Sequence, residues 1–263
     1  MDKKVFYTVS KCGLGVGSTV EMKVIFDHIL ESGMADEIHH WYGDNQLRDY
    51  TTNWQRDLDE IVKIILNDDR IKLVSGLEDN KIQDINFVPI PPTGCPVRNL
   101  YSVGERIIPQ EYVTLVMKTS VHIPTEAFYN TLIHLCNLSK YQIVLVGERK
   151  ITPCKEYVIL SDHGCMYSRV KPGIPKAIDM TYEETSRQNS VDLFMRSSNL
   201  YKHAKYNICI NSSGGFSMLC LFGNIIGLTS GYSPQEKHMN LPTSFLFSDP
   251  IRFLRTIREK IVD

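Results

Sequence analysis

Residues 207–229 constrain this chain more than any other stretch. They read Asn-Ile-Cys-Ile-Asn-Ser-Ser-Gly-Gly-Phe-Ser-Met-Leu-Cys-Leu-Phe-Gly-Asn-Ile-Ile-Gly-Leu-Thr. Continuous apolar runs such as Ile208-Cys209-Ile210 and Ile225-Ile226 suit strands covered on both faces, the hallmark of a parallel sheet. Between them, Ser212-Ser213-Gly214-Gly215 allows a sharp backbone turn into a short helix. A helix start presents N–H groups with no partner inside the helix, and its dipole adds partial positive charge. Strand, Ser/Gly turn and helix therefore predict an anion pocket suited to a phosphate or diphosphate.

The same rhythm recurs along the chain. The periodicity predicts a strand over 5–10, a glycine-rich turn over 11–18, and a helix over 19–32 with Val20, Val24, Ile25, Ile29 and Leu30 at helical spacing, capped by Ser18 or Thr19. A strand over 38–42, a helix over 54–67 and strands over 71–75 and 86–90 follow. Pro89, Pro91, Pro92 and Pro96 then interrupt the pattern, and the chain crosses over around 99–109. A second series comprises strand 112–117, helix 125–138, strands 142–146 and 157–160, helix 192–203 and the motif above. Alternation of this kind predicts parallel sheets joined by right-handed crossovers. The expected fold is α/β, with two Rossmann-like halves facing a cleft: residues 1–110, residues 111–249, and a C-terminal amphipathic helix over 250–263. Ile251, Leu254, Ile257 and Ile261 form the expected apolar face of that helix, which would tie the two halves together.

Composition removes several function classes. Lys plus Arg number 29 against 30 for Asp plus Glu, so no bulk positive field recommends nucleic acid or an anionic membrane as partner. No run of about 18 apolar residues and no leader-like segment is evident, which predicts a cytoplasmic protein without a membrane span. Seven cysteines form no CxxC pair, and Cys136, Cys209 and Cys220 sit in apolar runs, so reduced buried thiols are expected. Asp162-His163-Gly164-Cys165 has no second ligand pair at finger-like spacing, and His39-His40 reads as decoration of a helix end or loop; no metal site is expected. GxxxxGK[ST] and G-x-S-x-G are both missing, which argues against a P-loop enzyme and a serine hydrolase. Gly13-Leu14-Gly15-Val16-Gly17 has G-x-G-x-G spacing rather than a dinucleotide fingerprint, leaving an NAD-linked oxidoreductase as an alternative only.

Tyr112-Val113-Thr114-Leu115-Val116-Met117-Lys118, the Pro-Thr-Glu helix start at 124–126, Leu145-Val146-Gly147-Glu148 and Asn211-Ser212-Ser213-Gly214-Gly215 together resemble the C-terminal half of two-domain GT-B glycosyltransferases, notably the heptosyltransferase-like ones. The resemblance runs through residues 112–230 and reaches the N-terminal half in outline. It implies a metal-independent glycosyltransferase whose second half holds a nucleotide-diphosphate sugar and whose first half meets an acceptor, a glycan or small molecule, with no cofactor. Gly13 and Gly15 would then belong to the first-half loop, where Val16 replaces the family's usual acidic residue. That replacement keeps a noncatalytic nucleotide-binding module open as another alternative.

The chemistry nominates further residues. Negative charge grows on the departing diphosphate, so cations and helix-start N–H groups must meet it. Lys118 and Arg149, with Lys150 beside it, follow strand ends; Ser212, Ser213, Gly214 and Gly215 supply the turn. Glu148 is placed to accept hydrogen bonds from ribose hydroxyls. For the base, His163 and Asp162 follow the strand over 157–160, and His122 lies in the turn after Lys118.

Overall fold

The computed structural model describes residues 3–9, 16–41, 58–76, 82, 101–117, 125–150, 166–183, 190–210, 222–228 and 245–263. Its first sheet contains β1 (Val5–Val9), β2 (Glu37–Trp41) and β3 (Ile71–Leu73), in that order and all parallel. Helix α1 (Val16–Glu31) links β1 to β2, and α2 (Leu58–Ile65) precedes β3. Since α1 starts at Val16, Ser18 and Thr19 lie inside it, and neither is its cap. The helix ends at Gly33, whose φ of +71° suits a residue without Cβ, with Met34 N–H donating to the Ile29 carbonyl at 3.1 Å. Burial surrounds α1: Val20, Phe26 and Ile29 are covered, as is Lys23, which donates to Asp27 at 2.7 Å.

Among the described residues the second sheet has six parallel strands: β4 (Tyr112–Met117), β5 (Gln142–Lys150), β6 (Ile178–Glu183), β7 (Tyr206–Ile210), β8 (Ile225–Leu228) and β9 (Phe245–Phe247). Their order across the sheet is β6-β5-β4-β7-β8-β9. Every residue of β4 is buried, as expected of a central parallel strand whose run is apolar apart from Thr114. Val113, Leu115 and Met117 face α3 (Glu126–Asn137), α4 (Met166–Val170) and α6 (Pro250–Ile257) within one apolar cluster. Tyr112 and Val116 point the other way, into a cluster shared with α5 (Ser190–His203) and with Phe6, Phe26 and Ile61 of the first sheet's layer. Packing of α2 against α5 continues this layer between the two sheets.

The segment that leads into β4 is stitched to α5. Tyr101 and Ser198 share a buried hydroxyl–hydroxyl bond of 2.7 Å, while the Asn199 amide donates to the carbonyls of Val103 and Glu105 at 2.7 Å each.

The α/β expectation with two parallel sheets holds, but several details differ. β5 runs four residues beyond the expected 146, and α2 ends at Ile65, short of the expected 67, while 54–57 lie outside the described residues. β6, β9 and α4 have no counterpart in the sequence reading. His39 and His40 lie in β2 rather than on a helix end or loop: His39 bonds Glu37 at 2.6 Å and His40 is buried. The expected strands over 86–90 and 157–160 lie outside the described residues.

The C-terminal helix is the larger correction. Phe253, Ile257 and Ile261 are its fully buried residues, whereas Ile251 is 69% exposed. Phe253 stacks on Phe128 of α3 at 5.9 Å, and the Lys140 N–H donates to the Ile261 carbonyl at 2.9 Å. Among the described residues the helix thus packs into the second sheet's own core rather than into the cluster shared with the first sheet. Asp249 caps its start by accepting the Ile251 N–H, which holds Ile251 at the solvent side. The last turn, Arg258–Val262, widens to π geometry with Asp263 N–H donating to the Arg258 carbonyl.

Candidate functional site at the carboxyl edge of the second sheet

The strand order locates the site. From the centre of the second sheet the chain moves outward through β4, β5 and β6, returns over α5, and moves outward the other way through β7, β8 and β9. In such doubly wound sheets the loops after the two central strands leave toward opposite faces, opening a crevice at their carboxyl ends. Here those strands are β4 and β7, which pair directly. α3, after β4, packs on one face; Phe222, after β7, packs on the other and meets Tyr101 edge-on at 6.2 Å.

A buried polar lock holds these two strands together. Thr114 donates its hydroxyl to Asn207 Oδ1 at 2.6 Å, and the Asn207 amide donates to the Tyr201 and Gly223 carbonyls at 3.1 and 3.3 Å. Its backbone N–H reaches the Asn224 carbonyl at 2.7 Å, so this fully covered asparagine satisfies its donors and acceptor.

In sequence, Lys118 is the residue after β4 and Asn211 the residue after β7, so the cation and the Ser/Gly turn nominated above both adjoin the switch-point strands. Lys118, Ser212, Ser213, Gly214 and Gly215 themselves lie outside the described residues, as do His122, Asp162, His163, Gly13 and Gly15. Glu148 and Arg149 lie in the last part of β5.

That end of β5 is shaped by Gly147, which pairs with Met117. Its φ is +106°, and a Cβ there would collide with the Met117 carbonyl oxygen. Only glycine lets the two strands close at this edge. Immediately beyond, the β5–β6 register slips: Glu148 pairs with Tyr182 and Lys150 with Glu183, leaving Arg149 as the bulged residue. Bulges of this kind re-aim one side chain at the end of a strand.

Arg149 meets two residues that the sequence reading missed. Its Cζ lies 5.8 Å from the Tyr167 ring centroid, and Tyr167 donates its hydroxyl to Asp179 at 2.6 Å. The Thr181 N–H donates to the other Asp179 oxygen at 3.0 Å, joined by the Thr181 hydroxyl. Burial alone would raise the Asp179 carboxyl, but the Thr181 and Tyr167 donors and the Arg149 charge hold it below its ordinary range. Hydrogen bonding to that carboxylate in turn raises the Tyr167 phenol. The available signal was the period-2 alternation Ile178-Asp179-Met180-Thr181-Tyr182, which marks a strand with a polar face.

Among the described residues no group of three or more His, Cys, Asp or Glu could hold a metal ion, and no helix is long and apolar enough to cross a membrane. Cys136 and Cys209 are buried free thiols.

No protein-family model matches the sequence, and no curated protein does. Among solved structures, the chain is similar to the dodecameric iron-containing heptosyltransferase TibC, solved with ADP-D-β-D-heptose, at 12% identity and a TM-score of 0.48. That match covers 92% of this chain and 63% of TibC, so the chain spans less than two thirds of that protein's length. It is also similar to a family 9 glycosyl transferase from Veillonella parvula, at 12% identity and a TM-score of 0.47, over 98% of this chain and 90% of that one. A third, the E. coli ADP-heptose lipopolysaccharide heptosyltransferase II, aligns at 10% identity and a TM-score of 0.39, over 97% and 76% of the two chains. All three are glycosyltransferases.

Proposed function

We propose that this protein transfers a sugar from a nucleotide-diphosphate sugar to an acceptor, without a metal ion or other cofactor, in the cytoplasm. The observation that carries the reading is the switch point between β4 and β7, followed in sequence by Lys118 on one strand and the Ser212–Gly215 turn on the other. A crevice at the carboxyl ends of such strands suits a nucleotide, and a glycine turn entering a helix suits its phosphates.

In this reading residues 111–249 hold the donor, residues 1–110 meet the acceptor, and residues 250–263 complete the donor half. Bond breaking at the sugar leaves positive charge on the anomeric carbon and negative charge on the departing diphosphate. Lys118, Arg149 and the N–H groups at Ser212, Ser213, Gly214 and Gly215 would stabilise that leaving group. Glu148 would accept from the ribose hydroxyls, Gly13 and Gly15 would let the first-half loop approach the reacting sugar, and His163, Asp162 or His122 would take the acceptor's proton.

Thermal shift with UDP, GDP, ADP, CMP and NAD tests the ligand class, because a ligand that binds only the folded state raises its melting temperature. A diphosphate should stabilise the protein more than NAD, and transfer should follow with the matching sugar donor. Gly214→Val should weaken diphosphate binding by more than about tenfold, or ~1.4 kcal/mol. Unchanged affinity in a folded Gly214→Val protein would remove the turn from the site. A response to NAD alone would favour the oxidoreductase, and diphosphate binding without transfer the noncatalytic module.

A further inference from the structure

Arg149, Tyr167 and Asp179 come from β5, α4 and β6, three elements with no local sequence relation, yet they form one chain of contacts that runs from the carboxyl end of β5 to the second residue of β6. A phenol has one proton to donate and oxygen lone pairs to accept with. Tyr167 gives its proton to Asp179 Oδ2 at 2.6 Å, and its ring lies against the Arg149 guanidinium, whose Cζ is 5.8 Å from the ring centroid. Asp179 is anchored in turn by the Thr181 N–H and hydroxyl on its other oxygen. Orientation therefore passes from β6 through Tyr167 to the guanidinium, on a residue that the β5 bulge has released from the ladder.

We propose that Tyr167 and Asp179 are positioning residues that aim the Arg149 guanidinium at the diphosphate of the donor, an assignment that rests on the donor reading above. The advantage is preorganisation. A free arginine loses side-chain freedom when it clamps a phosphate, whereas a fork already fixed by a phenol and a carboxylate loses less. Thr181 and Tyr167 also spread the Asp179 charge over several donors, which limits how far that carboxylate competes with an anionic ligand for the guanidinium.

Calorimetric titration of the full chain with UDP, GDP, ADP and CDP, each beside its nucleoside, tests this in the wild type, Arg149→Ala, Tyr167→Phe, Asp179→Asn and the Arg149→Ala/Asp179→Asn double variant. For the diphosphate the wild type binds best, Arg149→Ala should lose about tenfold in affinity, with Tyr167→Phe and Asp179→Asn each losing roughly three- to tenfold. Nucleoside affinity should stay unchanged in all four, and Asp179→Asn should cost nothing further once Arg149 is gone. A merely structural role would weaken nucleoside and diphosphate alike and would persist in the Arg149→Ala background. Either of those results overturns the assignment, as does diphosphate affinity equal to wild type in both Tyr167→Phe and Asp179→Asn. A wild type that binds no diphosphate overturns the donor reading itself and this assignment with it. Tyr167→Phe keeps the ring and its packing, so it decides the matter should Asp179→Asn fail to fold.

Discussion

Gly147→Ala probes the edge where fold and candidate site meet. Two costs add there. At φ +106° an L-residue sits in a sparsely populated region, which costs on the order of 1–3 kcal/mol. The new methyl also meets the Met117 carbonyl oxygen of the neighbouring strand, and backbone cannot swing aside as a side-chain tip would. Separating β4 from β5 at this pair adds a penalty of about 1–2 kcal/mol, similar to a modest overpacking. The sum, about 3 kcal/mol, should lower the melting temperature by roughly 6–12 °C in a chain of this size. Gly33→Ala is the control: its φ of +71° imposes strain, but nothing lies within 4 Å of the added Cβ, so only ~1–2 kcal/mol is lost. Calorimetry on both variants separates collision from strain. Because Arg149 follows two residues later, Gly147→Ala should also weaken diphosphate binding, whereas Gly33→Ala should not. Equal melting temperatures for the two variants would refute the close approach of β5 to β4.

Phe253→Ala should cost about 3–5 kcal/mol in urea unfolding, since the ring is fully covered and stacked on Phe128, whereas Ile251→Ala should change little. Equal effects would overturn the packing of α6. Burial pushes His40 down from 6.5 to about 4, so the unfolded chain binds this proton first as pH falls. Stability from neutral His40 is complete above pH 6.5 and is lost progressively toward pH 4, by up to about 3 kcal/mol. His40→Leu should flatten that part of the stability–pH curve, and an unchanged slope would contradict the burial. Transfer activity should survive EDTA, the cations and N–H groups serving the leaving diphosphate; loss restored by Mg²⁺ or Mn²⁺ would count against the mechanism.

The parts of this architecture that showed in the sequence are those whose signal is local. β4 and β7 were visible because a strand covered on both faces is apolar at most positions, Thr114 and Asn207 being the paired exceptions, while the turn expected after β7 lies outside the described residues. β6 escaped because it is an edge strand: Asp179 and Thr181 give it a polar face that resembles a loop when read alone. The C-terminal helix was visible as a helix, and Ile257 and Ile261 of its expected face are buried with Leu254 packed beside them, but Phe253 takes the place expected of Ile251. Ile251, Leu254, Ile257 and Ile261 fit a helical stripe about as well as Phe253, Ile257 and Ile261, and the choice between them is made by the Asp249 cap and the ring of Phe128, which sequence spacing does not encode. The same limit applies with more force to the Arg149, Tyr167 and Asp179 contacts. Tyr167 lies 18 positions beyond Arg149 and Asp179 a further 12, so no helical or strand period joins them. They meet because β5 and β6 pair in parallel while α4 packs over that face, and because Gly147 and the bulge after it set the direction in which Arg149 leaves the sheet. A lone basic residue at a strand end is an ambiguous sign. The same residue released from its ladder and set against a phenol ring that a carboxylate holds in place has a defined direction, and direction is what recognition of a diphosphate requires.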